Sequence, residues 1–131
     1  MKKQKVIGLL LCVQSGLIFA QNLTPETYVR VDVEARQLTI DGMHQQVDML
    51  SGDVMIDTIN SVSESNRDKV NTMFNYYGTT ASAHSAYGTR YGKEIEQWLA
   101  GHSDWEQTYD ALDDEFSSLS QQLSTLREGQ P

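Results

Sequence analysis

The sequence has one cysteine, few basic residues and none of the short motifs that mark common catalytic sites. It contains no G-x-S-x-G, no glycine-rich phosphate loop, no H-E-x-x-H and no EF-hand loop. The one cysteine, Cys12, lies in a segment that we expect to be removed, which leaves no disulfide, thiol nucleophile or thiolate metal ligand. We therefore expect a non-enzymatic protein without a cofactor.

Residues 1–20 predict a cleaved secretory signal peptide. Lys2, Lys3 and Lys5 precede an apolar run of 15 residues, 6–20, which ends in a small residue suited to cleavage. A membrane-spanning helix needs roughly 20 apolar residues, whereas the apolar part of a signal peptide needs about 7 to 15. The prediction is a periplasmic or secreted protein whose single domain covers residues 21–131; a retained membrane anchor is the alternative.

A lipid anchor on Cys12 is a second alternative. Cleavage before a lipid-modified cysteine needs small neighbouring side chains, and the three residues before Cys12 are all leucine. We therefore interpret Cys12 as part of the apolar run.

The mature chain is strongly acidic. Removing residues 1–20 takes away three lysines and no acid, which leaves 7 basic and 18 acidic residues and a formal charge of −11. Such a charge repels nucleic acid and anionic lipid and attracts cationic proteins, although an acidic balance is also a common solubility property.

Residues 103–127 carry the clearest helical pattern. Large apolar side chains recur there at alternating spacings of four and three, which places them along one stripe of a helix. They are Trp105, Tyr109, Leu112, Phe116, Leu119, Leu123 and Leu126. We expect Ser103 and Glu106 to form a capping box and Gly129 to end the helix.

Three further segments predict helices less clearly. Residues 79–101 have one apolar face, with Thr79 or Thr80 as the cap, and Gly88 and Gly92 marking either a close helix crossing or a break. Residues 53–77 show a polar middle at 63–69 that is expected to fray or turn. Residues 29–50 fit helical spacing, although 28–40 also alternate as a strand does.

The predicted fold is therefore all-α, a small antiparallel bundle of three to four helices. Its narrow apolar stripes leave dimerisation open.

Two groups of residues are candidate binding residues. Asp110, Asp113 and Asp114 form an acidic face on the last helix, and Tyr76, Tyr87 and Tyr91 stand beside glycines or in a tyrosine pair, a composition also used in recognition surfaces. A solvated face and core tyrosines are the structural alternatives.

The leading functional interpretation is an exported binding or inhibitor protein with a cationic protein partner. A structural or chaperone-like oligomer is the second interpretation. A periplasmic haem or metal carrier that uses His44, His84 or His102 is the third, although no pair of these histidines has metal-ligand spacing.

Overall fold

The computed structural model describes residues 23–52 and 54–129 and is all-helical over that part of the chain. The predicted signal peptide and its cleavage site lie outside these residues. The helices are α1 (Pro25–Ser51), α2 (Ile56–Tyr76), α3 (Ala81–Arg90), α4 (Gly92–Ala100) and α5 (Ser103–Glu128). None of them combines the length and the apolar character that crossing a membrane requires.

The first helix, α1, begins at a side-chain cap. The hydroxyl of Thr24 accepts a hydrogen bond from the backbone N–H of Thr27 at 3.1 Å, and Pro25 occupies the first turn, where a missing N–H costs nothing. The helix continues to Ser51 and covers residues 28–40. The strand alternative for that segment is therefore wrong, and the described residues contain no strand.

Two apolar stripes on α1 explain the strand-like alternation. Val29 belongs to a core cluster with residues of α3 and α4, and Ile40 packs with leucines of α5. Val31 lies on another side and packs against Met73 and Phe74 at the end of α2. Because α1 is buried on more than one side, apolar residues stand two apart without forming a strand.

The directions of the long helices differ from the expected antiparallel bundle. Residues of α1 and α5 meet in rising order, since Asp32 contacts Tyr109 and Gln46 contacts Arg127, so these two helices run parallel. The antiparallel prediction does hold for α1 and α2, where Gln46 contacts Ser63 near the start of α2. α1 packs against all four other helices, whereas α2 and α5 make few contacts with each other.

We call the two ends of this arrangement proximal and distal. The proximal end contains the start of α1, the end of α2, all of α3 and α4, and the start of α5. The distal end contains the end of α1, the start of α2 and the end of α5.

The predicted helix over residues 79–101 is divided into α3 and α4 at Tyr91. The glycines have different surroundings. At Gly88 an added Cβ would lie 2.9 Å from Cζ of Tyr28, so the ring of this α1 residue packs directly against α3. Gly92 is the first residue after the break and has open space around it.

Local capping agrees with the sequence at one helix start and differs at another. Thr80 caps α3 by accepting a hydrogen bond from the N–H of Ala83. The predicted capping box of α5 is wrong, because His102 occupies the N-cap position, no side chain caps the helix, and Ser103 is already helical. The polar segment 63–69 neither frays nor turns, since α2 is continuous through it.

Candidate functional site

The first half of α5 presents an exposed row of carboxylates. Asp110, Asp113, Asp114 and Glu115 are all exposed, and we call these four residues the acidic face. The whole helix carries seven acidic residues and one basic residue, Arg127, which lies in its last turn. The negative charge is therefore concentrated in the half of α5 nearer the proximal end.

Only one carboxylate of the acidic face, that of Asp113, is paired with an arginine. Arg36 donates a hydrogen bond to Asp113 at 2.9 Å, and His44 lies 3.7 Å from Glu115. Within residues 23–52 and 54–129, the structure pairs neither Asp110 nor Asp114 with a cation. These two carboxylates face solvent and are available to a charged partner.

A polar network ties the acidic face to α1. Asp32 accepts hydrogen bonds from the hydroxyl of Tyr109 at 2.7 Å and from Nε of Arg36 at 3.1 Å, and the other end of the Arg36 guanidinium reaches Asp113. The guanidinium also lies over the ring of Tyr109, with 5.1 Å between its central carbon and the ring centroid. Through Arg36, the network connects Asp113 on α5 to Asp32 on α1.

The protonation states in this network follow from its contacts. Burial, followed by the hydrogen bond and the charge of Asp32, raises the pKa of Tyr109 well above its ordinary value of 10.0. Burial lowers the pKa of Arg36, but Asp32 and Asp113 raise it by more, so its pKa lies above the ordinary value. Tyr109 thus stays a hydrogen-bond donor and Arg36 a cation, which suits a positioning role rather than proton transfer.

Beside this network an apolar groove opens between α1 and α5. Phe116 is 47% exposed, although Leu112 and Leu119 on the same stripe are only 6% and 3% exposed. The small side chains of Ala35 and Thr39 line the α1 side, and the groove has a volume of about 200 Å³. We call it the Phe116 groove. Its lining residues are Ala35, Arg36, Thr39, Ile40, Leu112, Asp113 and Phe116.

The three candidate tyrosines are placed differently from one another. Tyr76 is 84% exposed, whereas Tyr87 is only 9% exposed and belongs to the proximal core with Val29. Tyr91 is partly exposed and packs its ring against Tyr87, with 4.6 Å between the centroids. Burial of Tyr87 limits its contact with any partner, so Tyr76 and Tyr91 are the two that offer ring surface.

The histidines are engaged separately. His84 is buried, stacks on Tyr28 and contacts the backbone carbonyl of that residue, while His102 stacks on Trp98. His44 is exposed beside Glu115. In the part of the chain that the structure describes, no three His, Cys, Asp or Glu side chains are grouped so as to hold a metal ion.

The sequence pattern indicates Asp113 as a candidate but not the residues around it. Asp32 and Arg36 stand four apart, a spacing that predicts a pair on one helix face. Their connection to α5 had no local signal, because it depends on α1 and α5 running parallel. The sequence also does not predict that Phe116 is exposed, since its spacing matches that of the buried leucines.

Comparison of the chain with protein-family models, with curated proteins and with solved structures finds no match. Function therefore has to be inferred from the residues of this chain.

Proposed function

We propose that the mature chain is an exported, non-catalytic envelope protein that binds, and in so doing can inhibit, a cationic protein through the acidic face. The N-terminal lysines and short apolar run of residues 1–20 support export to the periplasm or the medium. A small, strongly acidic helical bundle in a single domain suits the binding of a cationic protein. The formal charge of −11 after cleavage argues against nucleic acid or an anionic membrane surface as the partner.

The observation that carries this proposal is the exposure of Asp110 and Asp114 without a cationic partner in the described part of the chain. Repulsion between neighbouring carboxylates of the acidic face opposes folding. At Asp113 this repulsion is reduced by Arg36 of α1. A cationic partner would relieve the remaining repulsion and would be steered toward this side of the molecule before close contact.

The association rate of a synthetic lysine–serine peptide tests the proposal. We expect Asp110→Asn with Asp114→Asn to slow association, and raising the ionic strength to reduce the difference from wild type. Between about 0.05 and 0.5 M salt the Debye length shortens from roughly 14 to 4 Å, so charges beyond near contact are screened.

The matched control is Glu64→Gln with Asp68→Asn. These residues are also exposed, also four apart on a helix, and lie on α2. Equal slowing by both double variants would contradict a role for the acidic face. It would show that the association rate depends only on net charge.

Export has its own test. Mass spectrometry of the protein recovered from the periplasm or medium should give an N-terminus near Gln21 and no lipid. A full-length chain in the membrane, or a lipid adduct on Cys12, would contradict the proposed processing.

An exposed apolar patch favours the second interpretation, a structural or chaperone-like oligomer. Val54, Met55 and Ile56 are consecutive at the distal end and all three are exposed. Sedimentation of wild type and of Met55→Ser with Ile56→Ser distinguishes the two functions. A wild-type oligomer that the double variant abolishes would support assembly through this end.

The third interpretation, a haem or metal carrier, gains no support from the separate positions of the histidines.

A further inference from the structure

The Phe116 groove carries an inference that rests on the proposed function and specifies its partner. A phenylalanine at a stripe position is normally covered by the facing helix, yet Phe116 is half exposed because Ala35 and Thr39 are too small to cover its ring. A cavity of about 150 Å³ lined by apolar side chains holds benzene. At about 200 Å³, the open groove has room for one large apolar side chain.

The carboxylates at the rim of the groove determine which partner residues can flank that apolar side chain. Asp113 lines the groove itself, and Asp110 and Asp114 are its neighbours on α5. These carboxylates attract a segment in which lysine or arginine flanks the apolar residue. They repel an acyl chain attached to an anionic headgroup, and they equally repel a second copy of this acidic chain.

Arg36 already occupies the position that a partner's cation would take. Its Nη1 donates to Asp113 at 2.9 Å, while its Nε remains bound to Asp32 at 3.1 Å on its own helix. The Asp113 side chain is largely exposed, and exposed ion pairs contribute little to stability. Exchange of Arg36 for another cation at Asp113 therefore costs little, and Arg36 keeps its contact with Asp32.

We propose that the Phe116 groove binds an apolar side chain of a cationic protein segment, and that a lysine or arginine of that segment displaces Arg36 from Asp113. Arg36 then acts as an internal competitor that covers Asp113 until the partner arrives. Removing its charge should strengthen binding, which is the opposite of what loss of an ordinary contact residue does.

Two synthetic peptides of equal length and equal lysine content test this proposal. One contains lysine and leucine, and the other contains lysine and serine. Wild type should bind the leucine peptide about tenfold more tightly, since burying one leucine side chain contributes about that factor. Phe116→Ser should bring the two affinities together, and Phe116→Leu should restore the preference. A melting curve of each variant checks that it is folded.

The charge of Arg36 is tested separately. Arg36→Gln should tighten binding of the leucine peptide more than Arg67→Gln, which removes one exposed positive charge from α2. Equal effects of the two substitutions would overturn the displacement of Arg36.

Different experimental results would overturn this inference and the proposed function. If wild type binds both peptides equally and Phe116→Ser changes nothing, while Asp110→Asn with Asp114→Asn weakens both, the groove inference is overturned and the acidic face remains. If that double substitution acts no differently from Glu64→Gln with Asp68→Asn, the proposed function itself is overturned.

Discussion

The interactions between helices at the proximal end of the molecule differ from those at the distal end. At the proximal end aromatic rings stack, Tyr28 on His84 at 4.1 Å between centroids and Trp98 on His102 at 3.8 Å. Every aromatic ring pair found within residues 23–52 and 54–129 lies at this end. Pairs of tyrosine rings such as Tyr28–Tyr87 and Tyr87–Tyr91 add about 0.5–1.5 kcal/mol each beyond the burial of their surface.

At the distal end aliphatic side chains such as Ile59 and Leu123 are buried, and side-chain hydrogen bonds also connect the helices. The amide of Gln46 donates to Ser63 at 2.8 Å and accepts from Arg127 at 3.2 Å, and so connects α1 to both α2 and α5. Such bonds replace bonds to water and contribute about 0.5–1.5 kcal/mol each net. Grooves open along the helices here, and the residues 54–56 expose apolar side chains.

The stacked rings therefore distinguish the proximal end, whereas open grooves and exposed apolar side chains distinguish the distal end. The Phe116 groove lies between the two regions, where the leucine cluster of α5 still fixes the backbone. A binding site there has a rigid support on one side and open surface on the other.

The largest expected effect comes from Leu119→Ala. Leu119 packs in a buried cluster with Ile40 and Leu112, so truncation leaves a cavity and should lower the free energy of unfolding by about 2–5 kcal/mol. Leu126→Ala removes the same atoms from a half-buried distal position and should cost clearly less. Equal losses of unfolding free energy for the two variants in denaturant titrations would contradict the difference in packing between Leu119 and the distal Leu126.

A smaller effect is expected from Gly88→Ala, which tests close packing at the proximal end. The new methyl group collides with the ring of Tyr28, which cannot move freely because it stacks on His84, so we expect destabilisation by about 1–3 kcal/mol. Gly92→Ala meets open space and should stabilise by up to about 1 kcal/mol through helix propensity. Thermal melting measures both changes, and a neutral Gly88→Ala would contradict the close packing of the Tyr28 ring against Gly88.

The smallest effect concerns alkaline pH. The pKa of Tyr109 is raised in the folded protein, first by burial and then by Asp32, so its contribution to stability is complete below pH about 10 and falls as pH rises above that value toward the folded pKa. Tyr109→Phe should therefore lose less stability than wild type between neutral pH and pH 11. The exposed Tyr76→Phe serves as the control, and parallel pH profiles for wild type and Tyr109→Phe would contradict the network.

Much of the fold could be predicted from the sequence, because helical periodicity is a local property. The stripe of α5 and the cap at Thr80 needed only neighbouring residues to be recognised. The direction of α5 relative to α1 could not be predicted, since it depends on how α3 and α4 return the chain. The position of His102 at the N-cap was also missed, because Ser103 has the better capping side chain.

The candidate site was predictable only in part. Asp110, Asp113 and Asp114 were identified from their charge and their position off the apolar stripe, and all three are exposed. Tyr87 carries the same local pattern as Tyr91 yet is buried, because packing between helices, not spacing, decides burial. Phe116 shows the converse, an apolar stripe residue exposed by small side chains on another helix.

The most direct test of the proposed binding site is a titration of the isotope-labelled protein with the lysine–leucine peptide, followed through backbone amide chemical shifts. We expect the shifts to concentrate at residues 35–40 of α1 and 110–116 of α5, with little change at the distal residues 54–59. Shifts centred on residues 54–59 or on Tyr76, with α5 unaffected, would contradict the proposed binding site.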